Sequence, residues 1–257
     1  MDASAAVPDV AFPRITWLGQ AGFLLETEEV RVLIDPWVSP AGPRLIPSPP
    51  LELVADGIDW VLVTHEHSDH LDLRFLTTLA ERSPGARAIL PAAIADRLGG
   101  VLPATGVGPG RTIDAGPLRI DVIPSWHGLH GGDPYTDGDG RFVGYVIHGA
   151  GPVIYHAGDT IATPELIDAL TGKGVELALL PSNGRDFFRE EQDFVGNLAP
   201  REAVALARRI GARTLVPYHW DGCAGNTERP GSAADEAAAL GGLHVLVLAR
   251  LLAYPLR

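Results

Sequence analysis

The sequence predicts an α/β protein in which two sheets pack face to face with helices outside, a four-layer αββα sandwich. Three observations predict it. Short β-type runs follow one another closely near the N-terminus. Strand-length apolar runs then alternate with segments of helical periodicity. The same succession, strands first and alternation afterwards, occurs a second time in the other half of the chain.

The first half of the chain predicts five strands, in order at residues 14–18, 22–27, 30–34, 60–64 and 86–90. Short polar turns separate the first three strands, which is typical of an antiparallel meander. A proline-rich loop at residues 36–50 precedes the fourth strand. Residues 71–82 predict a helix because their apolar side chains recur at helical spacing, and residues 92–98 predict a second, shorter helix.

The second half predicts six strands, at residues 118–123, 142–147, 153–155, 175–180, 214–216 and 244–248. A helix is expected over residues 200–211, since a proline stands at its start, a glycine just past its end, and small or apolar residues share one face. Ser232 predicts the start of a last helix that runs through Leu240.

Composition favours one folded domain over residues 1–257 that acts on a small molecule. The chain has 257 residues, of which 46% are hydrophobic, enough for a sizeable core. Its 32 acidic against 20 basic residues give a net charge of −12. Nucleic acid is therefore not expected as a partner, because binding a polyanion depends on many Lys and Arg side chains. Nothing in the sequence sets an oligomeric state.

Sequence features also predict a cytoplasmic protein without membrane insertion. The N-terminal segment lacks the basic start and apolar stretch of a signal peptide. The most apolar late segment, residues 243–252, is interrupted by His244 and Arg250. It is shorter than the roughly 18 residues that a membrane span needs. The single cysteine, Cys223, excludes an intrachain disulfide and fits a reducing compartment.

The strongest chemical signal is the segment THEHSDH at residues 64–70, at the end of a predicted strand. His65 and His67 lie two residues apart, so an extended chain projects both to the same side. Asp69 and His70 follow in the turn. Three imidazoles and a carboxylate crowded together suit a divalent transition metal ion, with a solvated polar loop as the alternative.

Further candidate ligands follow later strands, at His127, Asp159 and His219. Four clustered ligands cannot all reach one ion. Either the distant residues complete two metal sites, or some members of the cluster bind nothing. Asp35, at the end of the third strand, is a candidate for orienting a ligand histidine, although an aspartate before proline also begins turns.

The order HxHxDH, His, Asp, His resembles the metallo-β-lactamase superfamily, and the match extends from the first strands to His219. The resemblance implies the αββα fold that the strand and helix pattern also predicts. It implies two divalent metal ions, zinc or manganese first and iron as a further option. The ligands that it implies are His65, His67 and His127 for one metal, Asp69, His70 and His219 for the other, and Asp159 between them.

A second, local resemblance concerns the segment PSNGRD at residues 181–186 and the later Gly196-Asn197 pair. Both look like the superfamily branch that contains the ascorbate-6-phosphate lactonases. The candidate substrate-binding residues are therefore Asn183, Arg185 and Asn197. A guanidinium matches a phosphate or carboxylate, and amides can bind hydroxyls. The alternative is that Arg185 and Asp186 pair on a surface loop and that the asparagines occupy turns.

The expected activity is hydrolysis of a small ester or lactone, anionic if the Arg185 guanidinium faces the site. Two cations about 3.5–4 Å apart bring the pKa of a bridging water towards ~7, which leaves a hydroxide nucleophile at neutral pH. Asp69 is expected to bind one metal and to accept the proton, a role that the resemblance implies. The alternatives are a phosphodiesterase acting on a phospholipid or nucleotide and a non-catalytic metal-binding scaffold.

Overall fold

The computed structural model describes residues 11–40, 44–128 and 135–256. Residues 1–10 lie outside these ranges, and they carry most of the N-terminal segment that was expected not to be a signal peptide. His130, for which the sequence predicts no role, also lies outside them. In the described ranges, no helix combines the length and the apolar character that crossing a bilayer requires.

The first sheet contains the predicted N-terminal meander and a parallel extension of it. Strands β1, β2 and β3 are antiparallel neighbours, and β3 to β6 continue the sheet as parallel strands. Their bounds are β1 (Arg14–Gly19), β2 (Gly22–Glu26), β3 (Arg31–Ile34), β4 (Trp60–Leu62), β5 (Arg87–Pro91) and β6 (Ala104–Val107).

The second sheet repeats this plan, with antiparallel strands followed by parallel ones. Strands β7 to β10 are antiparallel neighbours, and β10 to β13 are parallel. The bounds are β7 (Thr112–Ala115), β8 (Leu118–Pro124), β9 (Val143–His148), β10 (Ile154–His156), β11 (Leu177–Pro181), β12 (Thr214–Tyr218) and β13 (His244–Val245). A last strand, β14 (Ala253–Pro255), returns to the first sheet beside β1.

Six α-helices and two short 3₁₀ segments, Ala92–Leu98 and Gly138–Gly140, connect the strands in the described ranges. The helices are α1 (Leu51–Val54), α2 (Leu73–Arg82), α3 (Pro164–Leu170), α4 (Phe187–Glu190), α5 (Pro200–Arg209) and α6 (Ser232–Leu240). Asp72 caps α2 by accepting the backbone N–H of Phe75 at 2.9 Å, and α5 begins with the expected proline.

Three buried apolar clusters define four layers and confirm the predicted αββα sandwich. One cluster lies between the sheets and includes Phe23 from β2 and Tyr145 from β9. A second joins the outer face of the first sheet to α2, and the third joins the second sheet to α3, α5 and α6. Each sheet is therefore covered on both faces, which explains why its central strands are continuous apolar runs.

Several elements have no clear pattern in the sequence. β6 and β7 each form one edge of a sheet, opposite β14 and β13, and most of their residues are exposed or half-buried, so neither carries an apolar run. The predicted strand at residues 244–248 is reduced to β13, because only His244 and Val245 pair with β12. The predicted short helix at residues 92–98 is a 3₁₀ helix.

Candidate metal centre

The seven predicted ligands come from four chain segments, residues 65–70 and the separate positions His127, Asp159 and His219, and meet at one end of the sandwich. Three sets of side chains bring their ligand atoms within 4.8 Å of one another. These sets are His65, His67 and His127; His65, His70 and Asp159; and Asp69, His70 and His219. The first and third coincide with the two ligand sets that the family resemblance implies; that they bind metal stays a prediction.

The histidine set has the geometry of a tetrahedral metal site. His65 Nε2 lies 3.0 Å from His67 Nδ1, and His127 Nε2 lies 3.3 Å from the same atom. Zn–N bonds of ~2.05 Å at tetrahedral angles separate the nitrogens by about 3.3 Å. The observed spacings are close to that value, so these three imidazoles fit a single divalent cation.

Asp159 lies between the two sets. Its Oδ2 atom is 3.1 Å from His219 Nε2 and 3.5 Å from His127 Nε2, and its Oδ1 atom is 3.4 Å from His70 Nε2. His70 Nε2 and Asp159 Oδ1 are buried and have no hydrogen-bond partner among the described residues. Buried polar atoms without a partner are costly. Cations between the sets would satisfy both atoms, so the residues present fit a metal centre.

Asp35 orients His70, one of the candidate ligand histidines, as the sequence suggested it could. Its Oδ2 atom is 2.7 Å from His70 Nδ1, which leaves His70 Nε2 directed at the centre. Asp35 also accepts two hydrogen bonds from Thr64, from the backbone N–H at 2.8 Å and from the hydroxyl at 2.6 Å. It is completely buried and adopts a positive φ of 44°. A strained backbone of this kind marks a position where orientation matters.

The Asp35→Asn variant is expected to bind Zn²⁺ or Mn²⁺ about 10- to 100-fold more weakly. The amide preserves volume but cannot accept both the Thr64 hydroxyl proton and the His70 ring proton on the same charged oxygen. Isothermal titration calorimetry of the metal-free variant measures the change. Asp168→Asn, on an exposed position of α3, is the matched control and should bind like the wild type. An unchanged affinity in Asp35→Asn would contradict the positioning role.

Gln20 is part of the centre, although nothing in the sequence analysis singled it out. Its side-chain Nε2 donates to Asp69 Oδ2 at 2.8 Å and lies 3.0 Å from His219 Nε2. The residue occupies the turn between β1 and β2 and is completely buried. A glutamine in a turn has neither ligand chemistry nor a periodic pattern, so sequence alone offered no signal for it.

The electrostatics of the centre differ between its two halves. Burial lowers the pKa of His65 well below its usual range and lowers that of His127 to about 3, so both imidazoles are neutral. Burial also opposes the charged form of His219, but Asp159 and Asp69 outweigh it and raise the pKa to about 9. Burial likewise opposes the charged form of His70, but Asp159, Asp35 and Asp69 raise its pKa well above the usual range. Without a cation, the carboxylates are therefore neutralised by protonated imidazoles.

A cavity of about 310 Å³ opens onto the candidate ligands. Of the two candidate ligand carboxylates in its lining, Asp69 is the more accessible, with 22% of its side chain exposed against 4% for Asp159. The remaining lining residues are apolar, acidic or small and polar: Trp37, Glu66, Ser68, Asp193, Phe194, Val195, Cys223 and Asn226. This volume is at the small end of ligand pockets, which are roughly 300–1,000 Å³.

The predicted substrate-binding residues lie behind this cavity. Asn183, Arg185 and Asn197 are absent from its described lining. Asn197 Nδ2 donates to Asn183 Oδ1 at 3.1 Å, and Asn183 Nδ2 donates to Asn226 Oδ1 at 2.8 Å. Of the four residues, only Asn226 lines the cavity. The two predicted asparagines therefore orient Asn226, and their direct contact with substrate stays a prediction without a supporting contact here.

Arg185 is engaged by the protein itself. Its Nη1 and Nη2 atoms form a bidentate pair with the Glu202 carboxylate at 2.5 and 2.7 Å, and Nη1 also donates to the Asn197 carbonyl at 3.0 Å. The partner of Arg185 is therefore Glu202 on α5. It is not the adjacent Asp186, which the surface alternative had suggested. Asp186 instead caps α4 by accepting the backbone N–H groups of Phe188 and Arg189.

The Arg185→Ala variant is expected to lose up to about 1 kcal/mol of stability, because its pair with Glu202 is only partly buried. Its metal content and steady-state KM should stay within about twofold of the wild type, since the guanidinium has no free face towards the cavity. Thermal unfolding and kinetics with an identified substrate check both values. A KM raised by an order of magnitude would instead support the direct substrate role.

The surroundings of Cys223 and His156 indicate structural roles and no part in the chemistry of the site. Burial and then the charge of Asp69 raise the pKa of the Cys223 thiol to about 11, so it is protonated at neutral pH. His156 is buried, with Nε2 at 3.0 Å from the Ala21 carbonyl, while its Nδ1 accepts the Gly158 N–H at 3.2 Å. That second bond steadies the loop that carries Asp159.

Comparison with known proteins shows the superfamily and the narrower family to which the chain belongs. Residues 30–220 match the family model described as the beta-lactamase superfamily domain, and the chain belongs to that superfamily. More narrowly, it belongs to the UPF0173 metal-dependent hydrolases. It is 33% identical over 216 residues to the member from Methanopyrus kandleri, covering 80% of this chain and 84% of the relative. It is 34% identical to the member from Methanoregula boonei, with 80% and 82% covered.

Solved structures with low sequence identity share the fold. The metallo hydrolase Igni18 from the archaeon Ignicoccus hospitalis superimposes with a TM-score of 0.73 at 21% identity, covering 95% of this chain and 99% of that chain. A possible metal-dependent hydrolase from Veillonella parvula gives 0.78 at 15% identity, with 96% and 100% covered. Together with the family model, these matches confirm the predicted fold and superfamily. The ascorbate-6-phosphate lactonase branch stays a prediction.

Proposed function

We propose that this protein hydrolyses a small ester or lactone and that it does so with two divalent cations, Zn²⁺ or Mn²⁺ first and Fe²⁺ as a further option. The observation that carries the proposal is the meeting of seven nitrogen and oxygen ligands beside a small cavity. His65, His67 and His127 would hold one cation. Asp69, His70 and His219 would hold the other, with Asp159 facing both.

Bound cations would supply an ionised water at neutral pH and an electrophile for the scissile carbonyl oxygen. The protein contributes the positions of the reacting groups. Asp69 is the accessible carboxylate of the centre, and we assign to it the acceptance of a proton from the nucleophile. Asp35 and Gln20 restrain the side chains around it.

Asn226 offers a donor to the substrate. Its Oδ1 atom accepts hydrogen bonds from Asn183 Nδ2 at 2.8 Å and from Arg189 Nη1 at 3.1 Å. Because both partners donate, the amide orientation is set, and its Nδ2 group is left as a donor on the cavity wall. An NH₂ group there suits a carbonyl or ring oxygen of the substrate.

The lack of a basic side chain in the described lining of the cavity favours a substrate with an uncharged body. Its described lining contains four carboxylates, from Glu66, Asp69, Asp159 and Asp193, and no lysine or arginine. Arg185 is paired with Glu202, so it supplies no free positive charge. Trp37, Phe194 and Val195 give the cavity an apolar side against which an acyl chain or a lactone ring can pack. A phosphodiester keeps a negative charge, and only the cations could bind that charge here, because the described lining has no basic side chain.

The test is a substrate panel applied to protein whose metal content has been measured. Uncharged lactones and carboxylic esters are compared with phosphodiesters, thioesters and anionic lactones. We expect turnover of the uncharged lactones or esters, abolished by chelation and restored by Zn²⁺ or Mn²⁺. Preferential turnover of phosphodiesters would establish the alternative reaction. Full metal occupancy without turnover of any compound would favour the scaffold.

A further inference from the structure

The side-chain amide of Gln20 has a defined orientation. Its Oε1 atom accepts the backbone N–H of Gly222 at 3.1 Å, and a backbone nitrogen can only donate. The opposite end is therefore the NH₂ group, 2.8 Å from the acceptor Asp69 Oδ2. The reverse orientation would set donor against donor at Gly222 and acceptor against acceptor at Asp69. This close approach is possible because residue 222 is a glycine. A Cβ atom at that position would lie 2.3 Å from Gln20 Oε1 and would clash with it.

The backbone of Gln20 is tied to the same region. Its N–H donates to Asp221 Oδ1 at 2.9 Å, and its carbonyl accepts the backbone N–H of His219 at 3.2 Å and the Trp17 indole N–H at 3.1 Å. The residue adopts a φ of 51°, which is uncommon for a side chain of this size. The fold accepts this strain while placing the amide against a ligand histidine and a ligand carboxylate.

The contacts of that amide fall on one of the two ligand sets. Nε2 is 2.8 Å from Asp69 Oδ2 and 3.0 Å from His219 Nε2, and both residues belong to the set with His70. A cation bound by that set would draw on the lone pairs of the Asp69 carboxylate. The Gln20 N–H that donates to Asp69 therefore competes with it, and the NH₂ group has no lone pair with which to bind the cation itself.

We propose that Gln20 is a positioning residue that makes the two metal positions unequal. The Gln20 amide holds Asp69 and restrains His219, so the position formed by Asp69, His70 and His219 binds its cation more weakly than the position formed by His65, His67 and His127. The inference rests on the proposed two-metal centre. It adds that the second cation is the exchangeable one and that the Gln20 side chain contributes to the difference.

The test uses Gln20→Glu, which keeps the shape of the side chain. One carboxylate oxygen can still accept the Gly222 N–H, and the other replaces the competing donor with an anionic oxygen. Metal-free wild type and variant are titrated with Zn²⁺ and with Mn²⁺ by calorimetry at one fixed pH. In the wild type we expect two unequal steps. In Gln20→Glu we expect the weaker step to tighten about 10- to 100-fold, because the added carboxylate attracts the cation, and the tighter step to be unchanged.

Two further variants keep the result interpretable. Gln192→Glu adds the same charge at an exposed position and should leave both steps as in the wild type. Gln20→Met removes the donor without adding charge and should tighten the weaker step by a smaller factor, so it decides the question if Gln20→Glu does not fold. The tighter step in each variant reports whether the protein is folded.

Equal steps in the wild type, or a weaker step that neither Gln20 variant changes, would overturn the inference. These readouts do not depend on the reaction. If the steps respond as expected while no substrate is hydrolysed, the proposed activity fails and the role of Gln20 stands. Hydrolysis by a protein with two equal metal positions would give the opposite outcome.

Discussion

The Asp69→Asn variant is expected to lose about 10²- to 10⁴-fold in turnover while keeping most of its bound metal. The asparagine side chain retains an oxygen that can ligate a cation and accept the Gln20 hydrogen bond, which is 2.8 Å long in the wild type. It cannot accept a proton at neutral pH. The accessible position of Asp69 in the cavity makes it the carboxylate suited to that step.

Metal content by elemental analysis and steady-state kinetics on the same preparation measure the two effects separately. Asp168→Asn, at an exposed position of α3, is again the matched control and should behave like the wild type. If Asp69→Asn lost metal and activity in equal proportion, Asp69 would be a ligand without a separate role in proton transfer.

The metal centre was largely predictable because its ligands follow strand ends. His65, His127, Asp159 and His219 come shortly after β4, β8, β10 and β12. The buried residues of those strands are mostly apolar, a pattern that can be recognised without tertiary information. The seven candidate ligands are all histidine or aspartate, which are chemically distinctive. Their meeting could be expected once the two halves of the chain were recognised as two sheets of one sandwich.

The supporting contacts were not predictable because they join residues far apart in sequence. Gln20 reaches Asp69 and His219, and a glutamine in a turn has no distinctive signature. Arg185 belongs to a local segment that suggested substrate binding, but Glu202, one α-helix further on, neutralises it. Edge strands were missed for a different reason. Their side chains are mostly exposed, so the apolar signal that identifies central strands is missing from β6 and β7.

The backbone conformations of Asp35 and His219 show how the fold positions side chains at the candidate metal centre. Both residues have positive φ, 44° and 66°, immediately after strands β3 and β12. A chain that simply continued the strand would direct these side chains elsewhere. The sharp change of direction costs of order 1–3 kcal/mol each, and the covered sheets on either side supply the stability that offsets it. This local strain is consistent with positioning a functional site.

Metal binding at pH 7 is expected to release about two protons from ligand side chains, both from the half of the centre that contains Asp69, His70 and His219, in addition to the proton that a metal-bound water would lose. Asp159 and Asp69 raise the pKa of His219 to about 9 against the effect of burial, and His70 is raised in the same direction. Both imidazoles are therefore protonated in the metal-free protein and must become neutral to ligate. His65 and His127 are already neutral, so their cation binds without releasing a proton from either of them.

The same shifts set the pH dependence of the metal-free protein. A raised pKa in the folded state stabilises the fold fully below the unfolded value near 6.5, and this contribution is lost as the pH rises through about 9. We therefore expect the metal-free protein to lose stability between about pH 6.5 and 9, whereas the metal-loaded protein, whose histidines are neutral throughout, should not. Calorimetric titrations in two buffers that bind metal weakly and differ in ionisation enthalpy measure the proton release, and thermal unfolding with and without chelator measures the stability. His148→Gln, outside the centre, should release as many protons as the wild type. A binding enthalpy that is identical in both buffers would contradict the assignment, because metal binding would then displace no proton from His70 or His219.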